Sequence, residues 1–392
     1  MNMMRLAFVS PRFADGDTVG GAETLFRQLA ERAVQAGHQV TYLTTCARNH
    51  FTWENEIQAG TRQMDGMEVH YFHADPRNSS RFLELQGAIC RKKRVSRADE
   101  EEWIENSVHS EALYDHLREH GDRYDRLIMG PYLFGLVYAA SRIHPKKTLL
   151  IPCLHDEPFA YTSVMADMFR NVRGFLFNTE PEQALATRLY GLRPEQGAVV
   201  GMGLTPFEAD GKSFITRHGI TAPYVMYSGR REGGKGTPIL TAYLQAFRQR
   251  TGRDIRLVCT GSGPIDAPPE LQPFITDLGF VSEQEKHDAM AGAEVFIHPS
   301  TFESLGIVLL ESFLAGTPTL VHAGSEVLQW QCRKSRAGLW FRNYPEFEEA
   351  LQILLRDEEL RDAMGRFGRD YVISQYAWPA VEARFQKALD TL

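Results

Sequence analysis

The 392-residue chain has only five cysteines, and no CxxC pair occurs among them. Cys46, Cys90, Cys153, Cys259 and Cys332 are far apart, which excludes a close-spaced zinc site and argues against a disulfide framework. A reduced, cytosolic setting is expected. Three of the five fall in apolar, strand-like runs, where a thiol acts as a small hydrophobe. No apolar stretch approaches the ~20 residues of a membrane-spanning helix. The run at 6–10 is too short for the apolar core of a signal peptide. Basic excess is also missing: 43 Lys and Arg stand against 50 Asp and Glu, a formal net charge of −7, which disfavours a nucleic-acid partner. No GxGxxG follows a strand, so a nicotinamide or flavin dinucleotide is not expected. Short repeats and low-complexity tracts are absent as well, and no acidic DxD-type pair is expected to hold a metal.

What is present is concentrated in residues 293–319, AEVFIHPSTFESLGIVLLESFLAGTPT. Val295, Phe296 and Ile297 form an apolar run suited to a buried strand. Pro299 ends it, because proline cannot donate to a strand ladder. After Gly306, the residues Ile307, Leu310, Phe313 and Leu314 recur at helical spacing, and Gly316 with Pro318 closes that helix. Glu303 is thereby placed in a strand-to-helix loop and Glu311 on the helix. Open α/β sheets bind ligands outside the carboxyl ends of their strands, and helix N-termini favour anions. A carboxylate there can accept hydrogen bonds from sugar hydroxyls. Taken alone, each glutamate reads equally as an ordinary loop or surface residue.

The rest of the chain alternates strands with helices. Residues 5–10, 38–45, 67–74, 126–130, 148–155, 175–179 and 198–204 read as strands of a first series. Gly20 and Gly21 open a helix after the first strand, where a ligand can approach the backbone or a plain turn suffices. A single helix is expected over 103–120. His155 stands just past a strand end, a position for a ligand contact or a cap. The basic run 91–94, RKKR, beside the mixed apolar segment 82–89 suits either a peripheral contact with anionic lipid or a solvated face. Residues 205–222 are polar and rich in turn formers, and read as a linker. A second alternating series follows. Its first loop carries Gly229, Arg230, Arg231, Gly233, Gly234, Lys235 and Gly236, and its second carries Gly261, Ser262 and Gly263. Cations beside exposed backbone N–H groups suit a diphosphate. Together with carboxylates, they describe a site for a nucleotide sugar. The expected architecture is α/β, with two Rossmann-like domains facing a central cleft: 1–204, a linker at 205–222, 223–375, and a C-terminal helix at 376–392.

The segments SGRREGGKG (228–236), GSGP (261–264), GFVS (279–282) and PSTFESLGIVLLESFLAGTP (299–318), in that order, resemble the retaining glycosyltransferases of family four. The resemblance extends over essentially the whole chain, from VGGAE (19–23) to the terminal helices. It implies the GT-B fold, with an N-terminal acceptor-binding domain, a C-terminal donor-binding domain and a last helix crossing back to the first domain. It implies transfer of a hexosyl-type sugar, with retention, from a nucleotide-diphosphate-sugar, a UDP- or GDP-sugar, to a hydroxyl acceptor. The acceptor is a glycan, a lipid-linked glycan or a small molecule, and the reaction serves glycan, polysaccharide or glycoconjugate biosynthesis in the cytoplasm or at the inner face of the membrane. Arg230 and Lys235 match the pair that binds the donor pyrophosphate and stabilises the leaving group. Glu303 matches the contact to the donor sugar, and Ser304, Leu305 and Gly306 match the backbone that holds sugar and phosphate. Glu311 matches the ribose ligand. Val281 falls near the base, and Gly229 and Gly261 fall in the donor loops. Gly20 and Gly21 match the loop that admits phosphate and acceptor, and His155 resembles the histidine near the reacting sugar. No cofactor and no metal are implied. The sequence departs from the pattern at Ser304, where glycine is frequent, and after Gly324, where the usual glycine-rich form is missing. Another enzyme of the same fold, an epimerase or phosphorylase, and a nucleotide-sugar-binding subunit without activity are the alternatives.

Overall fold

The computed structural model describes residues 3–15, 20–91, 93, 95–231 and 233–392. The chain divides into two compact units: residues 1–202 with 382–392, and residues 203–381.

The first unit is built on an eight-stranded sheet. Its strands are β1 (Arg5–Val9), β2 (Gln39–Thr45), β3 (Gly60–Met64), β4 (Met67–Phe72), β5 (Arg126–Met129), β6 (Thr148–Leu150), β7 (Gly174–Phe177) and β8 (Gly197–Val199), in the order β3-β4-β2-β1-β5-β6-β7-β8. All pairs are parallel except β3 with β4. The apolar runs of β1, β5, β6 and β7 are buried because helices cover both faces of such a sheet. Two features here were not expected. Asp65 and Gly66, both at positive φ, turn the chain between β3 and β4, a hairpin that the mostly exposed side chains of β3 concealed. The helix expected over 103–120 is two helices, Arg97–Glu105 and Glu111–His120. Residues 106–110 break it because they are held from elsewhere: Ser107 Oγ accepts a hydrogen bond from the Gly135 N–H at 3.0 Å. Ser110 then caps the second helix.

The second unit is a six-stranded, fully parallel sheet. Its strands are β9 (Tyr224–Ser228), β10 (Arg256–Thr260), β11 (Ile275–Asp277), β12 (Val295–His298), β13 (Thr319–His322) and β14 (Gly338–Phe341), in the order β11-β10-β9-β12-β13-β14. Counted within the unit this is 3-2-1-4-5-6, the order of dinucleotide-binding sheets. Strand order reverses between β9 and β12, so the ligand crevice of this topology lies outside the carboxyl ends of those two strands.

The stretch expected to be a linker, 205–222, is part of the second unit. It holds the helix Gly211–Arg217, capped by Asp210, whose Phe214 is fully buried against Tyr224, Met226, Val258 and Met290. A side chain at Gly211 would meet the Gly292 backbone nitrogen at 2.4 Å, so polar composition there reflects close helix packing rather than looseness. The last helix, Trp378–Thr391, starts in the second unit, and residues 382–392 belong to the first. Arg384 Nε donates to the Val200 carbonyl at 3.0 Å. Among the described residues no helix is long and apolar enough to cross a membrane. Lys92 and Arg94 of the basic run and residues 16–19 of the first glycine loop lie outside the described residues.

Candidate active site

The loops after β9, β10 and β12 are pressed together by glycines. Gly229 takes φ +144° and its N–H donates to the Thr260 carbonyl at 3.1 Å. A side chain at Gly261 (φ +112°) would meet the Gly229 carbonyl oxygen at 2.1 Å. Gly236 (φ +74°) caps the helix Thr237–Thr251, and a side chain there would meet the Pro299 carbonyl oxygen at 2.4 Å. That last contact seats the loop after β9 on the loop after β12. It brings Lys235 Nζ to 2.7 Å from Glu303 Oε1. The expected cation and the expected sugar-binding carboxylate therefore meet as an ion pair at the point where strand order reverses.

The two neighbouring arginines have different roles. Arg231 is almost wholly buried; its guanidinium spans Asp277 Oδ2 at 3.0 Å and the Gly263 carbonyl at 2.6 Å, tying the loops after β9, β10 and β11 together. Arg230 is exposed, and its backbone carbonyl accepts the Tyr227 hydroxyl at 2.6 Å. Composition could not have told the anchor from the outward-facing cation. Burial does.

Glu303 leads into Ser304, Leu305 and Gly306. Gly306, at φ +82°, caps the helix Ile307–Leu314 with no side-chain cap, leaving first-turn N–H groups that an anion can take. The Leu305 carbonyl accepts Gln331 Nε2 at 3.2 Å. Gln331 is fully buried and is itself held by Tyr376 and Tyr371, at 2.9 and 2.8 Å. Sequence reasoning missed this support, which lies in the segment that departs from the family pattern. In the loop after β11, three strands from β12 in the sheet, Val281 precedes Ser282, the cap of the helix Glu283–Ala291.

Glu311 is 9 % exposed and paired with Lys286, whose Nζ lies 3.0 and 2.9 Å from its two carboxylate oxygens. Burial pushes the Glu311 carboxyl above its ordinary pKa, with Lys286 opposing. For Lys286, burial works downward, but Glu311 and Glu283 outweigh it and the ammonium is held above its ordinary value. Ligand atoms of Glu283, His287 and Glu311 lie within 4.8 Å of one another, a spacing that suits a cation. Lys286 already supplies positive charge there, touching Glu283 at 2.8 Å as well as Glu311. His287 stacks flat on Phe207 at 3.5 Å. Burial drives this ring down to about 4.

The remaining expected residues lie in the first unit. Gly20 caps the helix Gly21–Gln35 in extended backbone, and Arg12 pairs with Glu23 in the first turn of that helix. His155 lies beyond β6, its Nδ1 3.4 Å from Glu157 Oε1; Glu157 also accepts the buried Tyr132 hydroxyl at 2.8 Å.

The chain is similar to known proteins in sequence and in fold. The family model Glycosyl transferases group 1 matches residues 212–371. The alpha-D-kanosaminyltransferase of Streptomyces kanamyceticus is 31 % identical over 172 residues, 40 % of this chain and 43 % of that protein. A lipopolysaccharide core biosynthesis glycosyltransferase of Rhizobium meliloti is 28 % identical over 177 residues, 43 % of this chain and 50 % of the relative. These matches thus span half the length of those relatives or less. The structure of Anabaena HepE in complex with UDP-glucose superposes with a TM-score of 0.71 at 16 % identity, over 99 % of this chain and 100 % of that one. The chain therefore has the GT-B fold, and its residues 212–371 are similar to the glycosyl transferases group 1.

Proposed function

We propose that the protein is a retaining glycosyltransferase that moves a sugar from a UDP- or GDP-sugar to a hydroxyl acceptor in glycan or glycoconjugate biosynthesis. The reading rests on the Lys235–Glu303 pair at the carboxyl ends of β9 and β12. Breaking a glycosyl-phosphate bond builds negative charge on the leaving diphosphate and positive charge on the sugar. Lys235, Arg230 and the first N–H groups of the helix Ile307–Leu314 would stabilise the former as preorganised charges. Glu303 would hold sugar hydroxyls and Glu311 the ribose hydroxyls. These cations do the work that a divalent metal does elsewhere, so the reaction is expected to be metal-independent. Retention requires the acceptor to attack from the leaving-group face, where a phosphate oxygen can take its proton. Gly20 and Gly21 are assigned to the loop that admits donor phosphate and acceptor, and His155 to the neighbourhood of the reacting sugar. The UDP-glucose in the Anabaena structure supports the donor class, and the transferases among the sequence relatives support sugar transfer.

A thermal-shift screen with UDP, GDP, ADP and their common sugars tests this. A ligand at a hundredfold excess over Kd adds ~2.7 kcal/mol of stability. A rise in Tm with one nucleotide, lost in Lys235→Ala, is the expected result. No rise with any of them overturns the donor assignment. Turnover of the donor's sugar without an acceptor would point to an epimerase, and phosphate-dependent glycan cleavage to a phosphorylase. Donor binding without transfer to any acceptor would point to a non-catalytic subunit. Pelleting with anionic vesicles tests the peripheral membrane contact assigned to 82–94.

A further inference from the structure

His298, the last residue of β12, is 3 % exposed, and neither ring nitrogen has a hydrogen-bond partner among the described residues. Leaving a buried polar group unpaired costs ~1–3 kcal/mol, so its retention calls for an explanation. Its Nε2 lies 3.4 Å from Glu303 Oε1, within ion-pair reach but without hydrogen-bond geometry. That is the oxygen on which Lys235 Nζ sits at 2.7 Å. Two donors thus converge on one carboxylate oxygen, and only the lysine is engaged. Burial drives the imidazole down to about 4, with Glu303 opposing and Lys235 adding to the effect, so near neutral pH the ring is uncharged and offers one N–H.

An incoming diphosphate competes with Glu303 for Lys235. When the ammonium turns to the phosphates, Glu303, whose side chain is only 14 % exposed, gives up the Lys235 contact on Oε1 in a poorly solvated place. A donor that takes the vacated oxygen keeps the carboxylate in position. We propose that His298 is a positioning residue that takes over Glu303 Oε1 when Lys235 turns to the donor diphosphate, holding the carboxylate towards the sugar hydroxyls. This rests on the donor reading above. The nucleotide part of the donor is bound through Lys235, Arg230 and Glu311, so loss of His298 weakens recognition of the sugar and leaves recognition of the nucleoside diphosphate.

The test is calorimetric titration of wild type, His298→Leu and His298→Gln with UDP, UDP-glucose, GDP and GDP-mannose. Leucine fills the space without a donor; the glutamine amide restores an N–H near the place of Nε2. The expected result is that the ratio of sugar-nucleotide to nucleoside-diphosphate affinity falls about tenfold in His298→Leu, the size of one lost hydrogen bond to a charged group, and returns in His298→Gln. An unchanged ratio in His298→Leu overturns the proposal, and so does an equal weakening of both ligands that glutamine does not restore. Should the leucine variant not fold, nitrogen-15 NMR of histidine-labelled wild type decides. Saturation with the bound nucleoside diphosphate should move the His298 Nε2 resonance to that of a hydrogen-bonded N–H, and no movement refutes the exchange. Wild type that binds none of the four ligands removes the donor reading and this proposal together. Binding by wild type with an unaltered ratio removes this proposal alone.

Discussion

The carboxyl-end loops of the two sheets use their charges differently. In the first unit several of them are tied to backbone. Arg12 Nη1 donates to the Arg48 carbonyl at 2.8 Å, and Arg77 Nη2 to the Phe51 carbonyl at 3.1 Å. Buried Glu182 accepts the Leu154 N–H at 2.6 Å and the Asn178 N–H at 2.5 Å. In the second unit, Lys235 with Glu303 and Lys286 with Glu311 join side chain to side chain across separate elements. Bonds to the backbone fix a loop's shape and cannot be given up without unmaking it. An ion pair between two side chains can be exchanged for a ligand that offers a phosphate to one and hydroxyls to the other. The difference separates charges that build the fold from side-chain pairs open to exchange, and the family match covers the unit with the second kind.

Removing the exchangeable charges should hurt chemistry most. Lys235→Ala or Arg230→Ala should lower turnover at least ~100-fold, corresponding to ~3 kcal/mol of transition-state stabilisation each. Steady-state kinetics with the donor identified by thermal shift measures it, and near-normal turnover in both variants would sink the assignment.

Acid should act on the fold of both units. His298 and His287 in the second, and His116 in the first, are driven down to about 4 by burial. An unfolded histidine takes a proton below about 6.5, so acid favours the unfolded chain. Their contribution is complete above that pH and is lost as pH falls towards 4. For His298, the most buried, the loss approaches ~3 kcal/mol. Denaturant titrations from pH 7 to 4 should show this slope, and His298→Gln should flatten it.

The glycine contact that brings the second unit's pair together is smaller in energy but sharp in consequence. Gly236→Ala combines a left-handed backbone with a close approach to the Pro299 carbonyl and should cost ~1–3 kcal/mol. It should also abolish the nucleotide-induced rise in Tm. A variant that keeps that rise would show that Lys235 reaches its place without the contact.

At the small end, Arg118 of the first unit pairs with Glu111 and Asp115 in the open. Exposed pairs of this kind contribute little, so Arg118→Ala should leave Tm and nucleotide binding unmoved. A clear change in either would blur the distinction drawn here.

Much of this was legible in the chain itself. Apolar runs such as 295–297 and 224–227 specify buried parallel strands, and the glycine and proline at 316 and 318 stop a helix wherever the chain is placed. Arg230, Lys235, Glu303 and Glu311 were singled out by residue type and spacing, because local backbone geometry decides which side chains a strand end and a helix start present. The tertiary structure alone decided the rest. It broke the helix at 106–110, because Ser107 serves a distant N–H there. It turned the polar stretch 205–222 into a packed element through Phe214, and made Arg231 an anchor by burying it against Asp277. It set Gln331 beneath Leu305, and placed a neutral, unpartnered His298 beside the oxygen that Lys235 holds. Each depends on a partner far away in the sequence, and no local pattern of residues records the distance at which two such groups meet.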